Sequence, residues 1–287
     1  MSKHGQPEIY EEPGREEVQD WSLKKKVRYA IHLLRKYEPE GDQEYYGAFS
    51  GGKDSCVIKY LAEKAGVKVT WRYNPCPDPP ELIRFIREFH PDVIWNKPLS
   101  PFFQTVAKNG LPTHSMRFCC QISKEVFGKR KQKIIGVRAV ESPRRAASWS
   151  SIQAGFVAPI LFWSDEELWR FIKKTNMPYC SLYDEGFTRL GCVGCPLGGQ
   201  KSRDATFKRW PKYERAWKNA CKKLWENQNE QWKKSQARWG LYSWEDHWNA
   251  WRGDYRKHFA SYKEKILQPV FEDEETDICQ DLTRYQQ

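Results

Sequence analysis

Six consecutive residues, Ser50-Gly51-Gly52-Lys53-Asp54-Ser55, carry the strongest chemical signal in this chain. Two glycines let a backbone turn tightly and approach a ligand closely. A helix that follows such a turn offers unpaired N–H groups and the positive end of its dipole. Lys53 adds a mobile cation, and Ser50 and Ser55 add hydroxyls. Together these residues make a cradle for pyrophosphate, different from the G-x-x-x-x-G-K-[ST] loop. Asp54 is the odd member, because a carboxylate repels phosphate unless a cation lies between them. It is therefore expected to hold Mg²⁺. A bare Ser-Gly-Gly would be an ordinary strand–helix turn; the Lys, Asp and Ser that follow give it chemistry.

Two cysteine pairs form a second candidate site: Cys119-Cys120, and Cys192-Val-Gly-Cys195. A C-x-x-C around glycine can present both sulfurs to one metal, and four thiolates suit zinc or an iron–sulfur cluster. Adjacent cysteines are awkward for tetrahedral zinc, which favours the cluster. Buried free thiols are the plainer alternative. Arg138, Arg144 and Arg145 follow a predicted strand. Strand ends in open α/β sheets are where ligands bind, and arginine there pairs with phosphate or sulfate.

The elements that must position these residues are legible upstream and downstream. Residues 18–37 read as an amphipathic helix, with Val27, Ile31 and Leu34 on one face and Lys24–Lys26 on the other. Tyr45–Phe49 is a strand entering the glycine turn. Val57–Ala65 is a helix closed by Gly66, and Val67–Tyr73 a second strand. Pro79–Phe89 is a helix with proline tolerated at its start. Asp92–Trp95 and Lys133–Val137 are further strands. Ser164–Lys174 is a helix with Ser164 as N-cap and Glu167 three residues on. This alternation predicts an α/β protein: a parallel, twisted sheet flanked by helices, with a helical C-terminal part.

Beyond residue 200 the strand signals vanish. Trp210, Trp217, Trp225, Trp232 and Trp239 recur at intervals of 7 or 8 residues, which predicts one shared helical face. The expected organisation is a flexible N-terminus over 1–17 and a nucleotide-binding α/β domain over 18–200. A Trp-rich basic helical region over 201–265 and an acidic tail over 266–287 complete it.

The chain has 287 residues, 39% apolar and 15% aromatic, with 14 tryptophans and a formal net charge of +11. Such an excess suggests an anionic partner. Residues 201–265 hold 17 Lys/Arg against 8 Asp/Glu. Aromatics interleaved with cations suit single-stranded nucleic acid, although tryptophan at this spacing is more often core. No run of 18 apolar residues exists, and the polar, acidic start has no secretory h-region. A cytoplasmic location without membrane contact is expected. Nine cysteines there are not a disulfide framework.

The S-G-G-K-D-S loop resembles the PP-loop ATP pyrophosphatase superfamily, whose fold is the adenine nucleotide α-hydrolase sheet. Further segments sharpen the likeness to its phosphoadenosine phosphosulfate (PAPS) reductase family, over about residues 43–200. They are R-x-C-C-x-x-x-K from Arg117, G-V-R-x-x-E-S-x-x-R from Gly136, Pro159–Trp169, Pro178–Gly186, and the G-C-x-x-C-P ending at Pro196. The resemblance implies that Ser50–Ser55 hold phosphates and that Arg138, Ser142 and Arg145 line an anion pocket. It also implies that Cys119, Cys120, Cys192 and Cys195 match a [4Fe–4S] ligand pattern.

Two departures rank the activities. The C-terminal E-C-G-L-H-type cysteine motif of true reductases is missing, and Cys279 lies in an acidic context that weakens it as a nucleophile. The phosphate loop is the full form of ATP-cleaving members. The expected activity is therefore ATP-dependent sulfur transfer. Mg²⁺-bound ATP is attacked at its α-phosphate with Lys53 and Asp54 as catalytic groups, and AMP and pyrophosphate are the products. DNA or RNA is the candidate acceptor, and a sulfur-donor protein a candidate partner. A sulfonucleotide reductase producing sulfite and a non-catalytic nucleotide-binding regulator are the alternatives. Asn74-Pro-Cys-Pro-Asp78 also departs from the family's usual threonine-glycine turn.

Overall fold

The computed structural model describes residues 15–129, 131–153, 155–253 and 258–259, without the side chains of Arg15 and Arg144. Most of the expected N-terminal segment, the acidic tail and Cys279 lie outside the described residues. The chain divides into two compact units. One runs to Phe102 and resumes over Arg117–Val193; the other comprises Phe103–Met116 and the chain from Gly194 on. The two units meet in sequence at 193/194, and a segment, 103–116, groups with the helical part.

In the first unit, helices α1 (Arg15–Gln19) and α2 (Leu23–Lys36) lead into β1 (Tyr45–Phe49), α3 (Lys53–Ala65), β2 (Val69–Tyr73), α4 (Pro80–Phe89) and β3 (Ile94–Trp95). Helix α5 (Phe102–Asn109) opens the inserted segment. Helix α6 (Phe118–Ser123), β4 (Lys133–Ile134), α7 (Pro143–Ser148), β5 (Ile152–Gln153), β6 (Phe156–Val157) and α8 (Asp165–Lys174) complete the sheet unit. The strand order is β3-β2-β1-β4-β6-β5, parallel except for the β5–β6 hairpin. The expected parallel α/β sheet is present.

Strand β1 is central. Tyr45 and Phe49 are buried, as are Val57, Ile58 and Leu61 on α3. A Cβ on Gly47 would lie 2.2 Å from the Trp71 ring of β2, so only glycine lets that indole cross the strand. Helix α2 begins at Leu23, capped by Ser22, and not at residue 18. Lys26, expected on its polar face, is buried. Its ammonium donates to Glu167 at 2.8 and 2.9 Å and to the Phe162 carbonyl at 3.2 Å. Glu167 also closes the capping box with Ser164 at the start of α8. A buried cation persists here because a carboxylate and a carbonyl receive it.

The second unit adds α9 (Gly199–Arg209), α10 (Pro211–Asn227), α11 (Glu230–Ala237) and α12 (Trp244–Gly253). The five tryptophans do not share one helical face. Pro211 ends α9 and starts α10, and Asn229 caps α11, so the regular spacing crosses two helix breaks. Trp217 is buried and stacks on Trp251 at 5.0 Å, whereas Trp239 remains 37% exposed. Trp251 donates to the Pro112 carbonyl at 2.7 Å, tying the inserted segment into this aromatic core. Among the described residues no helix is long and apolar enough to cross a membrane.

Candidate functional site

Strand β1 delivers the chain to Ser50, and α3 starts three residues later at Lys53. Gly51 takes a left-handed conformation with φ 74°. A Cβ there would meet Ile86 and Leu82 of α4 at 2.7–2.8 Å, so both conformation and space demand glycine. The loop is held internally. Ser55 Oγ donates to the Gly52 carbonyl at 2.8 Å, Ser50 Oγ lies 3.3 Å from Ser55 Oγ, and the Gly52 N–H donates to Ser50 Oγ at 3.4 Å. The Lys53 N–H donates to the Tyr183 hydroxyl at 2.9 Å. That oxygen receives the first helical amide, as a phosphate oxygen would.

The loop forms one wall of a cavity of about 350 Å³. Ser50, Gly52, Lys53, Asp54 and Ser55 line it together with Arg138, Arg145 and Arg189. Arg138 is 1% exposed and organises the centre. Its Nε pairs with Asp54, its Nη2 reaches Asp165 at 2.8 Å, and its Nη1 reaches the Trp163 carbonyl at 3.4 Å. Lys53 Nζ lies 3.7 Å from both Asp54 and Asp165 and donates to the Thr188 carbonyl at 3.2 Å. Arg145 pairs with Glu141 one turn away. Four cations thus meet three carboxylates around one cavity.

The local electrostatics follow. Burial, then the nearby guanidiniums of Arg189, Arg117 and Arg138, lower the pKa of Arg145, the mark of crowded positive charge. Burial alone would raise the Asp165 carboxyl; Arg138 and Lys53 overcome it and hold Asp165 below its ordinary value. Burial pushes the Tyr183 hydroxyl up, so it stays protonated at neutral pH.

Most of the residues expected at the anion site converge here, with informative differences. Asp54, expected on Mg²⁺, faces Arg138 and Lys53, which supply the positive charge its position requires. Ser142, expected to line the pocket, caps α7 by accepting from the Arg145 N–H at 3.2 Å, and so positions Arg145. Gly51 turns toward α4 and not into the cavity. The Arg144 side chain lies outside the described residues. Tyr183, Arg189 and Asp165 are cavity residues that the sequence did not single out. Asp165 had a weak signal, its place in the N-terminal turn of a capped helix.

The cysteines form pairs. Cys120 accepts a hydrogen bond from Cys119, and with Lys124 and Arg117 beside it the thiol falls to about 6, despite burial. Cys192 is lowered by a hydrogen bond from Cys76, again with Lys124 nearby. Cys76, in the departing Asn74–Asp78 turn, is thus an unforeseen member, and the Val193 N–H fixes that turn by donating to the Pro77 carbonyl at 2.8 Å. Stabilised thiolates suit a soft metal. Among the described residues, however, no three His, Cys, Asp or Glu side chains converge as metal ligands do. Cys195 belongs to the second unit.

Comparison with known proteins supplies the family. The uncharacterized protein MJ0973 of Methanocaldococcus jannaschii is 29% identical over 63% of this chain, which spans only 50% of that relative's length. An adenosine 5'-phosphosulfate reductase of Lysinibacillus sphaericus is 27% identical over 64% of the chain and 86% of its own length. A probable FAD synthase of Schizosaccharomyces pombe is 27% identical over 63% of the chain and 71% of its own. The phosphoadenosine phosphosulfate reductase domain model matches residues 44–197, more than half of the sequence, and the chain belongs to that family.

Proposed function

We propose that this protein binds ATP, as its Mg²⁺ complex, in the Ser50–Ser55 cradle and directs an acceptor onto the α-phosphate, releasing pyrophosphate. The observation that carries this reading is the meeting of the loop, the start of α3 and the cations Lys53, Arg138, Arg145 and Arg189 around one cavity. An in-line attack on the α-phosphate moves negative charge onto the leaving pyrophosphate. Lys53 and the α3 amides would receive that charge, as fixed, preorganised donors do. Tyr183 would yield the Lys53 amide to a phosphate oxygen and can then donate its own proton. Asp54 is the one carboxylate on the loop that could share the Mg²⁺ carried by ATP; its other role is to hold Arg138.

The acceptor we favour is a nucleic acid, activated for sulfur transfer, because of the basic helical region. The FAD synthase relative supports adenylyl transfer as the underlying step. The [4Fe–4S] cluster implied by the family likeness, or zinc in its place, rests on the thiolate-favouring surroundings of Cys120 and Cys192. Such a centre would supply a thiolate-bound metal for handling sulfur. The adenosine 5'-phosphosulfate reductase relative supports the second reading, reduction of a sulfonucleotide. Release of pyrophosphate from γ-labelled ATP, with transfer of an α-label to the single-stranded DNA or RNA supplied and its displacement as AMP when a sulfur donor is added, tests the first. Sulfite from adenylylsulfate, lost in Cys279→Ser, would establish the second.

A further inference from the structure

The helical unit contains its own cavity, of about 700 Å³, and its walls differ in kind from the cradle. Helix α11 contributes Trp232 and, one turn on, Gln236; α9 contributes Gln200 and Arg203. Met116 and Leu197 also line it, yet are 58% and 39% exposed. No Asp or Glu stands among the described residues of this lining. Arg203 is 6% exposed, with its guanidinium 4.9 Å from the Trp251 ring and one arm donating to the Arg252 carbonyl at 3.0 Å. Helix α11 fully buries none of its side chains, although Trp232 turns inward to tilt against His247 at 5.7 Å.

A large flat indole, two primary amides, an inward guanidinium and a carboxylate-free apolar wall form a specific combination. Amides offer both donors and acceptors to the edge of a heterocycle. An indole face and exposed apolar side chains favour a ring that can leave water. The guanidinium and the surplus of cations over 201–265 favour an anionic backbone attached to that ring. We propose that this cavity takes an unstacked base of a single-stranded nucleic acid, with Trp232 as the stacking surface and Gln200 and Gln236 at the base edge. The proposal rests on the reading of nucleic acid as the acceptor, and names where that acceptor is gripped.

Fluorescence anisotropy of a short labelled oligonucleotide of mixed sequence tests it, offered as single-stranded DNA, as single-stranded RNA and as duplex. Single strands should bind more tightly than duplex, and the DNA and RNA arms identify the natural strand. Trp232→Ala should weaken single-strand binding about tenfold, the loss expected for one stacked base. Trp232→Phe should retain most of the affinity, and Gln236→Ala should weaken it without touching the aromatic core. The salt dependence of Trp232→Ala should match wild type, because no phosphate contact is removed. Circular dichroism and ATP binding serve as folding controls. Equal binding by wild type, Trp232→Ala and Gln236→Ala, or duplex bound as tightly as single strands, would overturn the proposal. Pyrophosphate release measured in the same samples separates the two readings. Binding at Trp232 without turnover removes the acceptor reading and leaves the cavity; turnover without oligonucleotide binding leaves ATP cleavage and removes both the nucleic-acid acceptor and the base-binding role of the cavity.

Discussion

The two units place their charge in opposite ways. In the sheet unit, Lys53 and Arg138 are buried at 5% and 1% exposure, and their partners turn with them toward one cavity. In the helical unit most described cations sit outside an aromatic interior, and several pair along helix surfaces. Lys218 lies 3.5 Å from Glu214, Lys222 3.9 Å from Glu226 and Lys233 3.1 Å from Glu230. Exposed pairs of this kind contribute little to stability. Positive charge density along the sequence is therefore a poor pointer to the nucleotide site. Among the buried cations of the sheet unit, Lys53 and Arg138 mark it, whereas Lys26 and Lys59 are received by Glu167 and Asp92 elsewhere, because burial is tolerated only where compensation or function demands it. Among the described residues of the helical unit, Arg203 is the inward-turned exception.

The largest effect should come from Lys53. Lys53→Ala is expected to lower pyrophosphate release about 10²- to 10³-fold, as loss of one fixed charge-stabilising donor does. Because Lys53 stands beside Arg138's own ion pairs, its loss should leave thermal stability nearly unchanged. A folding defect of similar size would erase the contrast between the units. Trp217→Ala should do the reverse. It opens a void in the helical core beside Trp251 and should cost about 3–5 kcal/mol in denaturant unfolding. A change near zero would show that the indole stack does not hold that unit together.

The third prediction concerns pH. His90 packs 4.7 Å from Phe49 behind the cradle, and burial, then the charge of Lys59, lowers it to about 4. An unfolded histidine titrates near 6.5. The unfolded chain therefore takes up a proton as pH falls below about 6.5, while the folded chain resists until about 4. Stability should decline through that window, and His90→Gln should flatten the decline. An unchanged slope in that variant would move the cause elsewhere. A smaller effect is expected at Asp165, which is held below its ordinary value by Arg138 and Lys53. Its contribution is present above the unfolded value, about 3.9, and is lost as pH falls through the lower folded value. The stability gap between wild type and Asp165→Asn should close on acidification; a constant gap would show that the carboxylate's charge is not what matters. For the thiols, anaerobic protein should carry iron and acid-labile sulfide, reduced in Cys120→Ser. Protein free of both, and of zinc, would leave Cys76–Cys192 and Cys119–Cys120 as plain thiol pairs.

What the sequence made legible was local. Ser50–Ser55 encode a turn, a helix start and a cation within six residues, and Ser164 with Glu167 encode a helix start within four. The β1–α3–β2–α4 succession follows from period and punctuation alone. Tyr183, Arg189 and Cys76 were not legible because each reaches its place through a loop whose course is set by tertiary packing. The two-residue strands β3, β4, β5 and β6 carry too little pattern to fix their bounds. The tryptophan spacing misled for a definite reason: a regular interval says nothing about continuity, and Pro211 and Asn229 break the helix it seemed to require. Lys26 was placed on the wrong face because its partner, Glu167, is 141 residues away.

The most direct test of the central claim is calorimetric binding of Mg²⁺–ATP, PAPS and adenylylsulfate to protein purified without oxygen, with Lys53→Ala and Arg138→Ala in parallel. The account predicts that ATP is preferred and that both substitutions abolish the preference. A sulfonucleotide bound more tightly than ATP, with ATP unaffected by either substitution, would contradict it.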